Sequence, residues 1–389
     1  MNPERFRDSP SGRLVKAGRR PHDYWTFVPN PLPPELSIDL GLIQKLSEAD
    51  RALGELAGLG RAISNPHLLI RPFIRREAVL SSRIEGTQAD IADLYAYEAG
   101  QLPLPGLKPV ATPEADVQEV LNYVLALEYG VQRLQSLPIS LRLIRELHEH
   151  LMRGVRGGHA TPGEFRRSQN WIGAPGCTLD EADFVPPAVE DMQRALRALE
   201  SYLHDESYPP LLRLALIHYQ FEAIHPFLDG NGRIGRLLII LLMIHWQLLP
   251  APLLYLSVYF HRHREQYYAL LMQVSQEGAW RAWIAFFLEG VTSQAIDAIV
   301  RAKQLQDLQR DWHERLLSQG ATGRMHGAVD LLFENPVVAA QDLMARLDVS
   351  HQTAMRMLRQ LEEQEMLAQI GERQRNRRYW AKQIVDVVS

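Results

Sequence analysis

Apolar residues recur at three- and four-residue spacing over most of the chain. From about Ile38 onward, Ile43, Leu46, Leu53 and Leu56 fall on one helical stripe. The same period predicts a second helix over Leu68 to Ile84, stopped by Gly86, a residue able to take the left-handed conformation that ends helices. Gly and Pro crowd the stretch from Gly100 to Pro113 and break the pattern. Thr112-Pro113-Glu114 then restarts it, with Thr as cap and Pro at the first helical position. Helical spacing persists from Asp116 to about Trp246 with one exception. Between Asn170 and Pro187, Trp171, Ile172, Phe184 and Val185 flank a polar loop, which predicts a short β-hairpin. Two long helices follow, around Arg262 to Glu277 and Ala279 to Gln306. Residues 1–35 are rich in Pro and Arg, show no period, and read as an irregular arm laid over the surface through Tyr24, Trp25 and Phe27.

The last segment has its own pattern. Helices are predicted near 325–334 and 339–347. A turn at Asp348-Val349-Ser350 leads to a helix from His351 to about Glu365, then to an alternating stretch from Met366 to Trp380 that turns at Gly371. Helix, helix–turn–helix and β-wing in that order predict a winged helix-turn-helix. The expected fold class is therefore all-α with one small hairpin. Four segments are expected: 1–110 as arm and helical region, 111–260 as the core, 261–320 as a helical extension and 321–389 as the winged helix.

Composition narrows the function classes. A chain of 389 residues is long enough for two or three domains. Its 42 Lys and Arg against 46 Asp and Glu give a net charge of -4, which argues against bulk binding to nucleic acid or a membrane surface while leaving room for a local basic patch. With Cys177 as the only cysteine, no internal disulfide can form, as suits a reducing compartment. The first residues lack the apolar run of a signal peptide. The longest apolar run, Leu237 to Pro250, falls short of the roughly 20 residues a membrane span needs and reads as a core helix. The expected address is the cytoplasm, with no membrane partner.

One string concentrates the chemistry: His225-Pro226-Phe227-Leu228-Asp229-Gly230-Asn231-Gly232-Arg233-Ile234-Gly235-Arg236. Gly230 and Gly232 permit a tight turn and leave backbone amides accessible just before a helix. Amides at a helix N-terminus, aided by its dipole, bind anions. Arg233 and Arg236, three apart, share one helix face beside that anion site, and a guanidinium can hold phosphate oxygens with two parallel bonds. Asp229 at the lip is suited to one Mg²⁺ shared with phosphates, since Mg²⁺ takes only one or two protein carboxylates. His225 is the candidate general base. Phe227 is expected to anchor the loop in the core.

Every defining position of this string resembles the signature of Fic-domain proteins, H-x-F-x-[DE]-G-N-G-R-x-x-R. The resemblance implies a helical Fic fold and a protein adenylyltransferase, which moves AMP from ATP to a Ser, Thr or Tyr hydroxyl of a target protein and releases pyrophosphate. It implies His225 as catalytic base and Asp229 as the Mg²⁺ ligand. It assigns Gly230, Asn231, Gly232, Arg233, Ile234, Gly235 and Arg236 to the nucleotide phosphates. The segment from Trp171, Ile172 and Gly173 to Phe184 and Val185 resembles the family's flap, which lines up the target peptide by main-chain hydrogen bonds. Tyr259, with Arg264, Tyr267 and Tyr268, resembles the region near the adenine, where His263 replaces the Asn of many relatives.

Ser81-Ser82-Arg83-Ile84-Glu85-Gly86 is similar to the family's inhibitory pattern, [ST]-x-x-x-E-[GN]. It implies that the Glu85 carboxylate takes Arg236 away from the γ-phosphate of ATP. A pair of opposite charges about 4 Å apart interacts by about 4 kcal/mol at an effective dielectric near 20, before desolvation. In some relatives the equivalent glutamate assists removal of AMP instead. In the tail, Gln352, Thr353, Arg356 and Arg359 on the second helix and Arg373, Arg375, Arg377 and Arg378 on the wing could meet DNA phosphates, or the module could join protein to protein. Relatives often form homodimers. Three functions stay open from sequence: an adenylyltransferase restrained by Glu85, a DNA-binding regulator that senses ATP, and a Fic-type phosphotransferase.

Overall fold

A computed structural model describes residues 1–18, 23–62, 67–98, 113–155, 161–370 and 377–388. The expected turn at Gly371, the wing residues Arg373 and Arg375, the cap Thr112 and most of the Gly/Pro-rich stretch after Gly100 lie outside the described residues. A 3-10 turn, Pro3–Phe6, precedes two strands, β1 (Gly12–Ala17) and β2 (Tyr24–Pro29). The helices α1 (Leu40–Ala62), α2 (His67–Ile84), α3 (Ile91–Glu98), α4 (Glu114–Arg133) and α5 (Leu141–Leu151) follow. Next come α6 (Val189–Tyr202), α7 (Pro210–Ile224), α8 (Asn231–His245), α9 (Ser257–Arg262), α10 (Arg264–Glu277) and α11 (Trp280–Ser318). The last elements are α12 (Gly323–Glu334), β3 (Val337–Ala339), α13 (Ala340–Leu347), α14 (His351–Glu363), β4 (Ala368–Ile370), β5 (Arg378–Trp380) and α15 (Lys382–Val388).

The arm is not irregular. Strands β1 and β2 pair antiparallel, Leu14 opposite Phe27 and Lys16 opposite Trp25. Phe27 is fully buried and packs with Phe6 and Phe184, ring centroids 5.5 and 5.8 Å away. Burying this aromatic face is what orders a stretch whose Pro and Arg content argues for disorder.

Contacts divide the chain into two compact units, neither of them continuous in sequence. The first holds residues 1–54, 122–249 and 256–295. At its centre lie α7 and α8, apolar on nearly all sides and therefore buried throughout. Pro210 sits in the first turn of α7, where its missing N–H costs nothing. The apolar run after Arg236 is thus a core helix, as expected.

The second unit holds residues 55–121, 250–255 and 296–389. Here α2 ends where the sequence predicts, with Gly86 at φ +103°. Glu85 is exposed beside it, while Ser81 and Ser82 are buried. Helix α2 packs against α12 and α15. Arg76 of α2 lies 2.8 Å from Asp297, which also holds Arg301 at 2.9 Å. Tyr95 of α3 enters a buried cluster with Val337, Ile370, Trp380 and Val385. β3, β5 and β4 form a three-stranded antiparallel sheet in that order. Ser350 caps α14 through Thr353, while Arg356 and Arg359 are exposed along it.

Among the described residues one helix, Trp280–Ser318, is long and apolar enough to cross a bilayer by length and composition. Of its most apolar window 61% is buried within the protein, the pattern of a core helix.

Candidate active site

His225 terminates α7 in the left-handed conformation, φ 48° and ψ 63°. A non-glycine residue rarely adopts that region, and holding it there costs of order 1–2 kcal/mol. The half-buried imidazole has its Nδ1 3.2 Å from the carbonyl oxygen of Glu222. A carbonyl only accepts, so Nδ1 carries the hydrogen of the neutral ring. In that tautomer Nε2 is the basic nitrogen, the one a general base would use.

The next turn is held by a knot of three side chains. Phe227 is fully buried, as expected, and stacks on His148 with centroids 3.8 Å apart and planes 7° apart. The Gly163 N–H donates to His148 Nδ1 at 3.0 Å, which places the ring hydrogen on Nε2. That Nε2 donates to the carbonyl of Asp229 at 3.0 Å. Burial pushes the His148 pKa down to about 4, so the ring is neutral in the role it plays. Asn231 closes the loop: its Oδ1 accepts from the Phe227 N–H at 2.8 Å and its Nδ2 donates to the Phe227 carbonyl at 2.9 Å. Both ends of this buried amide are committed to Phe227. Through these bonds its side chain shapes the turn.

Gly230, at φ +79°, opens α8, and no side chain caps this helix start. The first turn of a helix carries amides without intrahelical acceptors, the feature an anion site uses. Arg233 and Arg236 are both buried on α8. Nη2 of Arg233 lies 3.6 Å from Asp229 Oδ1, which also accepts the Gly230 N–H at 2.6 Å. The Asp229 side chain is still 52% exposed. One accessible carboxylate beside a helix N-terminus is the donor set a phosphate-bound Mg²⁺ needs, so the residues present fit that ion. Ile234 is buried core. A Cβ at Gly235 would lie 2.4 Å from Glu222 Oε1 and 3.3 Å from the His218 and Phe221 rings, so the Glu222 side chain would have to shift.

The flap departs from the expected hairpin. Ile172 and Phe184 form a single antiparallel bridge, with the Ile172 N–H donating to the Phe184 carbonyl at 2.9 Å. Above the bridge the Trp171 indole donates to the Cys177 carbonyl at 3.0 Å. Gly173 is pressed against Cys177, whose Sγ would lie 2.7 Å from an added Cβ. Trp171 and Ile172 are 42% and 38% exposed, whereas Phe184 and Val185 are buried. The Val185 carbonyl accepts from the Phe27 N–H of β2 at 2.9 Å. One side of the flap is therefore bonded into the core, and only the Trp171–Ile172 side is open to a partner. The polar loop between them makes turns of its own, which is why regular strands do not extend.

In the expected adenine region, Tyr259 packs on Phe286 and His263, centroids 4.9 and 4.5 Å away, and its ring lies 2.9 Å from a Cβ added at Gly290. Tyr267 is buried and bonded to His218 at 2.8 Å, so it belongs to the core and not to a nucleotide surface. Tyr268 is exposed, with Arg264 5.6 Å over its ring. Sequence reasoning missed His148 and Arg166, which touch the loop from 60 to 80 positions away. Nothing local marks either one: a histidine on an apolar stripe and an arginine in a polar stretch have ordinary surface readings.

Residues 138–243 match the Fic/DOC family and residues 43–132 match the Fic/DOC family N-terminal region, together just over half of the chain. The chain belongs to the Fic/DOC family. Protein adenylyltransferase Fic of Drosophila grimshawi is 33% identical over 186 residues, 46% of this chain and 34% of that protein. The Drosophila virilis protein of the same name is 32% identical over the same length. The chain thus spans about a third of the length of these curated relatives. Among solved structures, a Fic family protein from Desulfovibrio desulfuricans G20 superposes with a TM-score of 0.58 at 21% identity, covering 90% of this chain and 98% of that one. Fic-1 of C. elegans (residues 134–508) gives 0.51 at 22% identity, covering 68% and 75%. These likenesses fix the Fic fold around the loop.

Proposed function

We propose that this Fic/DOC chain is a protein adenylyltransferase that moves AMP from ATP to a Ser, Thr or Tyr hydroxyl of a target protein, restrained by Glu85. The observation that supports it most is the place of His225, its Nδ1 against the Glu222 carbonyl, at the end of α7 and just before the α8 N-terminus, which no side chain caps. In this reading Nε2 accepts the hydroxyl proton as the oxygen bonds to the α-phosphorus. The bond from that phosphorus to the α–β bridging oxygen breaks, and pyrophosphate leaves. The α8 amides, Arg233 and Arg236 hold phosphate oxygens. Mg²⁺, held by Asp229 and the phosphates, would neutralise phosphate charge. The exposed Trp171–Ile172 side of the flap presents the target chain. The name of the Drosophila relatives, protein adenylyltransferase Fic, points the same way.

ATP labelled at the α- or the γ-phosphorus tests the reading. Label on protein from the α-position only is the expected result. Label from the γ-position only would assign a phosphotransferase, and none from either position would leave a nucleotide sensor.

The brake has its own test. Glu85→Gly is expected to raise self-modification with ATP and Mg²⁺ at least tenfold over the parent chain, read as added AMP mass on the intact protein. Equal labelling of parent and variant would remove Glu85 from the regulation.

A further inference from the structure

The turn that presents His225 has a shortage of hydrogen-bond donors. α7 ends there, so its final carbonyls lack helical partners. Pro226 follows, and it has no N–H to give. The carbonyls of His225 and Pro226 therefore depend on donors from elsewhere in the chain, while that of Phe227 also takes one from Asn231 Nδ2. One short segment donates to all three. The Arg166 N–H donates to the Pro226 carbonyl at 2.9 Å, and Arg166 Nε donates to the His225 carbonyl at 3.0 Å. Asn170 Nδ2 donates to the Phe227 carbonyl at 2.7 Å and lies 3.3 Å from that of His225.

The same segment also holds the base of the flap. Arg166 Nη2 donates to the Pro187 carbonyl and Nη1 to the Ser168 carbonyl, at 2.5 and 3.2 Å. Gln169 Nε2 donates to the Pro186 carbonyl at 3.0 Å. Arg166 is almost completely buried, and the bonds its guanidinium makes here run to backbone carbonyls. Burial pushes its pKa down to about 10, which leaves it charged at neutral pH.

We propose that Arg166 is a positioning residue that fixes the left-handed turn of His225 and the flap base as one rigid piece, so that base and target hydroxyl are set in register. It acts through backbone carbonyls and touches neither nucleotide nor target. A planar fork with several donors can reach the carbonyls of residues 168, 187 and 225 at once, and an ammonium group cannot. The inference deepens the adenylyltransferase reading for its kinetic arm, whereas its structural arm stands without it.

The structural arm uses the full chain with ¹⁵N-labelled histidine, the His225 signals being assigned by their loss in His225→Ala. In the parent protein His225 is expected as the Nδ1–H tautomer. In Arg166→Lys and Arg166→Gln it is expected to exchange between both tautomers while the chain stays folded. The kinetic arm places the same changes in the Glu85→Gly background. Turnover with α-labelled ATP is expected to fall about 10²-fold, the cost of an ångström-scale misplacement, with the Kd of a non-hydrolysable ATP analogue within threefold. If Arg166→Gln unfolds, Arg166→Lys carries both arms. An unchanged tautomer in folded variants overturns the proposal, as does a loss of ATP binding in parallel with turnover. Should Glu85→Gly itself transfer no AMP, the functional reading fails and the tautomer still decides the clamp.

Discussion

His225→Ala is expected to abolish transfer of label from α-labelled ATP while leaving the chain folded and able to bind nucleotide. The physical case is that the substitution removes the imidazole and little else. Arg166 and Asn170 grip the backbone carbonyl of residue 225, which alanine retains. The side-chain bond from Nδ1 to the Glu222 carbonyl, on a half-buried group, is lost with the imidazole. Alanine tolerates the left-handed turn no better than histidine does, so the turn costs a similar 1–2 kcal/mol in both. A positioned base contributes about 10²–10⁴-fold to proton transfer, and the variant is expected to fall by that range. Intact mass after ATP and Mg²⁺, alongside nucleotide affinity, reads both quantities. Label within threefold of the parent in the variant would remove His225 from the chemistry.

The second large effect is loss of stability in mild acid. His148 and His218 are buried, and burial is the main cause that pushes their pKa values down to about 4 and about 3. The nearby positive charges of Arg233 and Arg236 push in the same direction. In the unfolded chain both rings titrate near 6.5. Between these values the unfolded chain binds more protons than the folded one, so stability rises with pH. The contribution is fully present above about pH 6.5 and drains away as pH falls toward 4. At pH 5 each histidine is expected to cost about 2 kcal/mol. Carboxylates add little in that interval. Glu146, for example, is held down to about 2, chiefly by Arg133, and stays ionised throughout. Denaturant midpoints at pH 7.5 and pH 5 measure the difference. A midpoint unmoved across that range would show that these rings do not sit neutral in the fold. Because His148 bonds the Asp229 carbonyl, the loop should loosen before the whole chain does.

Much of this site is written in the sequence, because its chemistry lies in twelve consecutive residues. The glycines, the helix they open and the burial of Phe227 follow from local rules. Asn231 shows where such rules stop. Its place in a phosphate-binding string suggests a ligand contact, but whether an amide faces outward or bonds its own turn depends on geometry that composition does not carry. Arg166 and His148 are harder still, since what identifies them is the set of unpartnered carbonyls they reach across the fold. The β1–β2 pair is not legible: Leu14 and Val15 sit side by side between Arg13 and Lys16, so β1 shows no period of two. The apolar ends of the flap predict a hairpin, and only one residue pair bridges because the loop between them bonds to itself.

Glu85 directly follows α2, and α2 is packed against α12 and α15 of the C-terminal region. Tyr95, a few residues further on, is interleaved with Trp380. Cutting the chain near Gln319 to isolate the Fic core would therefore strip the scaffolding from the brake along with the tail. The face of α2 that packs on α12 and α15 would have to find new cover in a shortened chain. Any activity gained by such a shortened protein would report a disturbed α2 as much as the loss of the C-terminal segment. Point changes on the exposed face of α14, which leave that packing whole, are the cleaner instrument.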